Sequence, residues 1–178
     1  MGDLPVTDWA ARDQVSGARA ADFDAFYLAE LPRLTRLARG LCGAALAEDV
    51  AQEAMMVAYR RWAHVSALER PDLWVRRTCA NLAVSQFRRR IVELRALARL
   101  GSRRELPAMT DDSEAFWTAV RRLPTRQSQV AALRFVYVMP IADIAGVLDC
   151  TPGTVKQHLS RARHALATEL GLDPEEVS

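Results

Sequence analysis

The chain has 178 residues, half of them apolar, with 24 basic and 22 acidic side chains and a formal net charge of +2. That is enough apolar material for one domain or two small ones, but no run approaches the about 20 residues that cross a bilayer, and the aspartates at 3, 8 and 13 exclude a signal peptide. Cys42, Cys79 and Cys150 are widely spaced and His64, His158 and His164 lack metal-ligand spacing, so no disulfide framework, metal or cofactor is expected, and the setting is cytoplasmic.

Residues 1–21 are polar, alanine-rich and without clear periodicity, and read as a mobile segment. From Asp22, a possible N-cap, apolar residues from Phe23 to Leu41 recur every three or four positions, which predicts an amphipathic helix. Pro32 should kink or restart it, and Gly40 and Gly43 should end it. A second helix, Ala47 to Trp62, has Val50, Ala54, Val57 and Ala58 in one stripe, widened by Met55, Tyr59 and Trp62. Asp49, Gln52, Glu53 and Met56 lie toward the other face. That face is either a solvated surface or a dock for a partner helix.

Residues 61–104 hold eleven arginines and three acids, between flanks that are mildly acidic. Within this basic stretch, His64–Arg70 reads as a loop and Asp72 to Arg90 as a third helix. Val75, Cys79, Leu82 and Ala83 can face inward, while Arg76, Arg77, Asn81, Ser85 and Arg88 to Arg90 remain for another side. Arginines interspersed with Asn and Ser suit a nucleic-acid backbone with base contacts, or else form a solvated face. Trp74 is either a stacking platform or core. Residues 94–112 read as a flexible linker, although LRALARL within it can be helical. Fully extended, such a linker reaches about 60 Å, enough to hold two domains more than one DNA turn apart.

Ser113 can cap a fourth helix carrying Phe116, Trp117, Val120 and Leu123, which Pro124 stops. A fifth, Thr125 to Val136, turns Val130, Leu133 and Val136 inward and Arg126 and Arg134 outward. The stretch IADIAGVLDCTPGTVKQHLSRARHA, Ile141 to Ala165, then reads as two short helices and a tight turn. Thr151 is positioned to cap the second of them, with Pro152 at its first position. Val155, Leu159, Ala162 and Leu166 mark the buried side of that helix. Lys156, Gln157, Ser160, Arg161 and Arg163 mark the outer side. This is the layout of a helix-turn-helix whose second helix enters the major groove, or of a plain helical hairpin with a solvated basic face. The tail, 171–178, is short and acidic. With no strand-like alternation anywhere, the expected fold class is all-α, two small helical domains joined by a flexible linker.

Three stretches carry a family resemblance: AEDVAQEAMMVAYRRW, PDLWVRRTCANLAVSQFRRR and LPTRQSQVAALRFVYVMPIADIAGVLDCTPGTVKQHLSRARHAL. In this order they resemble the sigma-70 family of RNA polymerase sigma factors, specifically the extracytoplasmic-function (ECF, group 4) type. Region 2 would span 22–93 and region 4 would span 113–170. The resemblance implies a subunit that binds core RNA polymerase, directs it to −10 and −35 promoter elements and assists melting in transcription initiation. It implies no enzyme activity, and the chain shows no nucleophile–base pair and no phosphate-binding glycine loop. Asp49, Gln52 and Glu53 match the helix that docks on the β′ clamp helices, and region 4 would meet the β flap. Arg76, Arg77, Asn81 and Arg88 match the −10 reader, with the loop His64–Arg70 receiving an unstacked base. Arg134, Thr154, Lys156, Gln157, Ser160 and Arg161 match positions that face −35 DNA. Promoter DNA and core polymerase are the implied partners, with an anti-sigma factor as a further one. Ala80, Ser85 and Ser128 depart from the family's usual residues. A sigma mimic that titrates an anti-sigma factor, and a helix-turn-helix regulator, are the alternatives. The strongly basic middle opposes the first, and the absence of a receiver-like strand pattern upstream opposes a regulator of the two-component type.

Overall fold

The computed structural model describes residues 8–99 and 112–173 of the chain. Among the described residues only helices form, in keeping with apolar positions that recur at helical spacing and never alternate. The helix α1 runs Asp8–Cys42, α2 Ala44–Arg60, α3 Trp62–Val65 and α4 Pro71–Arg99. The second half supplies α5, Asp112–Arg122, α6, Thr125–Tyr137, α7, Ile141–Leu148, and α8, Pro152–Leu170. No helix of the described residues is long and apolar enough to cross a membrane.

Several boundaries differ from the sequence reading. α1 starts at Asp8, so Asp22 lies inside the helix and caps nothing. Ala10, Ala11, Ala18, Ala20 and Ala21 are strong helix formers, which lets the helix extend upstream without an apolar face of its own. α1 also passes through Pro32 as one helix. Pro32 and Leu28 both face solvent, so the carbonyl that loses its partner at Pro32 is open to water. Gly43 ends α1 and opens α2 with φ of 85°, a left-handed conformation that glycine adopts without strain. The expected loop after α2 contains the single turn α3, and α4 continues through LRALAR to Arg99. Ser113 lies within α5, which opens at Asp112. The rest of the expected linker, 100–111, residues 1–7 and the end of the acidic tail lie outside the described residues.

α1, α2 and α4 pack as one three-helix unit. Leu34, Leu37 and Leu41 of α1 meet Val50, Ala54 and Met55 of α2 and Val75, Cys79 and Ala83 of α4, all essentially excluded from solvent. Phe23, Phe26 and Trp62 close one end through ring contacts at 5.1 to 5.2 Å between centroids. Burial pushes the thiol of Cys42 up to about 12 and that of Cys79 higher still, so both are inert apolar filling.

α5 to α8 form the second unit. α7 is bracketed by left-handed residues, Val138 and Asp149. Asp149 tolerates that conformation and turns the chain sharply into α8. Thr151 caps α8 as its sequence suggests: its hydroxyl accepts from the Thr154 N–H at 3.2 Å, and Pro152 stands at the first helical position. Ala119, Val120 and Leu123 of α5 pack on Ala162, Leu166 and Ala167 of α8. The two units are not held apart. α1 packs on α5 and α6, α4 packs on α7, and one buried cluster runs continuously from Phe23 in the first unit to Leu159 in the second.

Candidate nucleic-acid interface

The helix-turn-helix puts its apolar back into the core and its polar front outward. Val155, Leu159, Ala162 and Leu166 are buried, while Lys156, Gln157, Ser160 and Arg161 are exposed on one face of α8. Lys156, Ser160, Arg163 and His164 line a shallow groove along that face, floored by Leu159. Thr154 lies half-buried at the start of the helix, its hydroxyl 2.9 Å from that of Thr151. Arg134 lies on α6 rather than on α8. It is half-buried near the end of α6 and donates to the Met139 carbonyl at 3.3 Å, bracing the bend between α6 and α7.

A second exposed face lies on α2. Asp49, Gln52 and Glu53 point to solvent beside Met56 and Tyr59, which are 52% and 59% exposed. Tyr59, expected in the buried stripe, is therefore outside it, although its ring still touches Phe23 at 4.9 Å. The Gln86 amide of α4 donates to Glu53 at 2.6 Å. An acidic strip with two large apolar side chains in it is a surface suited to a helical partner.

The four residues of α4 singled out in the sequence do not share one environment. Arg88 is exposed. Arg77 is exposed and pairs with Asp149 at 3.3 Å. Asn81 accepts a hydrogen bond at 2.9 Å from Gln129 of α6, itself buried. Arg76, expected to face outward, is only 7% exposed. Its guanidinium donates to both oxygens of Glu30, at 2.9 and 3.1 Å, and pairs with Asp72 at 3.0 Å. The Tyr137 ring stacks on it, 4.7 Å from centroid to guanidinium carbon. Burial raises the Tyr137 phenol well above its ordinary range, against the opposing pull of Arg76.

Sequence reasoning missed Glu30 and Tyr137. Glu30 had a visible signal: it sits at helical spacing between Tyr27 and Leu34, on the very stripe that α1 buries. A carboxylate on a buried stripe requires a cation, and Arg76 supplies it. Asp72 completes the cluster. Burial works against its charge, but the Arg70 hydrogen bond and the Arg76 charge prevail and hold its carboxyl below the ordinary value.

A helix with an acidic face, an arginine-rich helix after it and a helix-turn-helix with a basic front match two known regions in one chain. Residues 26–91 match the family described as sigma-70 region 2, and residues 113–166 the one described as sigma-70, region 4. The ECF RNA polymerase sigma factor SigM of Mycobacterium tuberculosis, in two strains, is 30% identical over 159 residues, covering 88% of this chain and 81% of that protein. The chain belongs to the ECF sigma-70 family. Its fold agrees. The sigma factor RpoE of Bartonella quintana, solved with the anti-sigma factor NepR, superposes with a TM-score of 0.67 at 27% identity, over 85% of this chain and 98% of that one. The chain is thus an RNA polymerase sigma factor of the ECF type, and among the described residues no cluster of His, Cys, Asp or Glu could hold a metal ion.

Proposed function

We propose that this ECF sigma factor docks on core polymerase through the α2 face and reads promoters at two places. The loop after α3 and the helix α4 take the −10 element; α8 takes the −35 element. The observation that carries this reading is the exposed row Lys156, Gln157, Ser160 and Arg161, on a helix whose opposite side is fully committed to the core. A sigma mimic has no need of that row. An anti-sigma factor is a fitting regulator, since the similar Bartonella quintana protein was solved with one.

Magnitudes divide the labour. DNA stacking averages about 1.4 kcal/mol per step, so opening roughly ten steps costs on the order of 14 kcal/mol. Capturing a flipped base returns about 1–3 kcal/mol. The sigma factor alone cannot hold a bubble open, and polymerase supplies most of the free energy. The dock on α2 is therefore as necessary as the DNA readers.

Reversing charge at both Asp49 and Glu53 to lysine tests the dock. Both side chains are exposed, so the fold is expected to survive, with unchanged far-UV circular dichroism. Affinity for core polymerase is expected to fall at least tenfold, read by co-purification and by fluorescence titration. Undiminished binding to core rejects the α2 face as the dock.

A further inference from the structure

The acids of α1 and α2 all lie before Leu31 or after Ala47. Between those points α1 carries Arg33, Arg36 and Arg39 and no acid. The arginines are three residues apart, so each step rises about 4.5 Å along the axis and turns back by about 60°. They fan across the solvent side of α1, all exposed, while Leu34, Leu37 and Leu41 fix its other side in the core. Arg33 pairs with Glu30 at 3.1 Å. Among the described residues Arg36 and Arg39 have no carboxylate within ion-pair distance. A merely solvated helix face interleaves both signs of charge, and this one carries a single sign. Arg39 lies in the last turn, where the helix dipole favours a cation. Arg33 and Arg36 stand further in, beyond the reach of that effect.

The row meets the basic helix α4 at one point. The Glu30 carboxylate lies between Arg33 on the solvent side and Arg76 of α4 on the core side, 2.9 Å away. Arg36 belongs to the same junction. The Tyr137 ring rests on Arg76, and although burial raises its phenol, the charges of Arg76 and of Arg36 both oppose the rise. Arg77, next along α4, is exposed. Exposed arginines of two helices that pack together therefore lie on either side of one buried carboxylate. The guanidinium fork suits a phosphate. It would also suit the carboxylates of a protein partner, but a row continuous with α4 favours the ligand that α4 itself takes.

We propose that Arg33, Arg36 and Arg39 bind phosphates of the single strand that α4 holds at −10, carrying that strand onward across α1. This rests on the reading of α4 as the −10 reader. The row touches phosphates and not bases, so it strengthens binding to any sequence and makes it more sensitive to salt, by about 0.7 in the logarithmic slope for each phosphate of a single strand.

Arg36→Ala combined with Arg39→Ala removes the two unpaired charges and leaves the Glu30 cluster intact. Alanine favours a helix at least as well as arginine, so far-UV circular dichroism should not change. Arg36→Lys combined with Arg39→Lys keeps the charge and is the companion protein. Each is assembled with core polymerase and titrated by fluorescence anisotropy on two probes made from a genome fragment that the wild-type holoenzyme transcribes. One probe is premelted across −10. The other is a duplex that keeps −35 and stops upstream of −10. The alanine pair should bind the premelted probe about tenfold more weakly, with a salt slope lower by about 1.4. It should bind the −35 duplex and core polymerase as the wild type does, and the lysine pair should keep the wild-type slope. Unchanged affinity and slope on the premelted probe, an equal loss on the −35 duplex, or a fall in core affinity that matches the loss on DNA would each overturn the row as a strand contact. A wild-type holoenzyme that transcribes no fragment counts against the sigma reading itself, and the assignment of the row falls with it.

Discussion

Replacing Arg76 by alanine is expected to destabilise the protein by about 3–5 kcal/mol. The reason lies in what remains. Glu30 is 4% exposed, and without Arg76 its carboxylate is left charged in the core with Arg33 as its remaining ionic partner, at 3.1 Å on the solvent side. In a chain of this size the loss lowers the melting temperature by on the order of 10 °C. Glu30→Leu combined with Arg76→Met removes both charges and is expected to recover most of the loss, because a buried pair contributes little over well-packed apolar groups while an orphaned partner costs much. Thermal unfolding followed by circular dichroism reads both. A single-variant loss below about 1 kcal/mol would mean that Glu30 finds water or another cation, and that the cluster does not organise α1 against α4.

The same cluster gives an acid response with a definite sign. The Asp72 carboxyl is held below its ordinary value in the folded chain. Its contribution is therefore fully present above the unfolded pKa, about 3.9, and is lost as pH falls through the lower, folded value. Asp72→Asn should thus cost stability at neutral pH and cost progressively less below about pH 4.

Alanine at Lys156 and at Arg161 is expected to lower promoter-specific transcription strongly while leaving stability and core binding intact. Both side chains are exposed on α8 and belong to neither core cluster. A bidentate base contact discriminates by about 1–3 kcal/mol, or roughly 5- to 150-fold. Arg161 carries the planar fork that suits guanine, so its loss should sit in the upper half of that range and relax preference at one position. Lys156 is a point charge. Its loss should weaken binding at all sequences and reduce the salt slope by about one unit. Holoenzyme titrated on one promoter at two salt concentrations separates the two effects. Equal, small losses for both variants would remove α8 as the −35 reader.

The faces of single helices were legible in the sequence, because burial follows local periodicity. Val155, Leu159 and Ala162 fall inward and Lys156, Gln157 and Arg161 outward, as the helical spacing implies. Capping was legible where side-chain geometry and chain direction agree, at Thr151 and Pro152. It misled at Asp22 and Ser113, since a capping residue is also tolerated within a helix once its neighbours favour one. Arg76 could not be placed by spacing alone. Its burial is decided by Glu30, 46 residues away, and by Tyr137 of the other unit. The docking of α6 and α7 on α4 was likewise hidden. It depends on which surfaces meet across a connection that sequence pattern describes only as long enough to keep them apart.

The most direct measurement is multi-template run-off transcription with purified core polymerase, in the presence and absence of this chain, on fragments of the source genome. Discrete transcripts that appear only with the chain, share common −10 and −35 elements upstream and vanish with the Asp49→Lys/Glu53→Lys protein are the expected result. Transcription no different from core alone, on every template, by a chain that still binds core, would contradict its action as a promoter-specificity subunit.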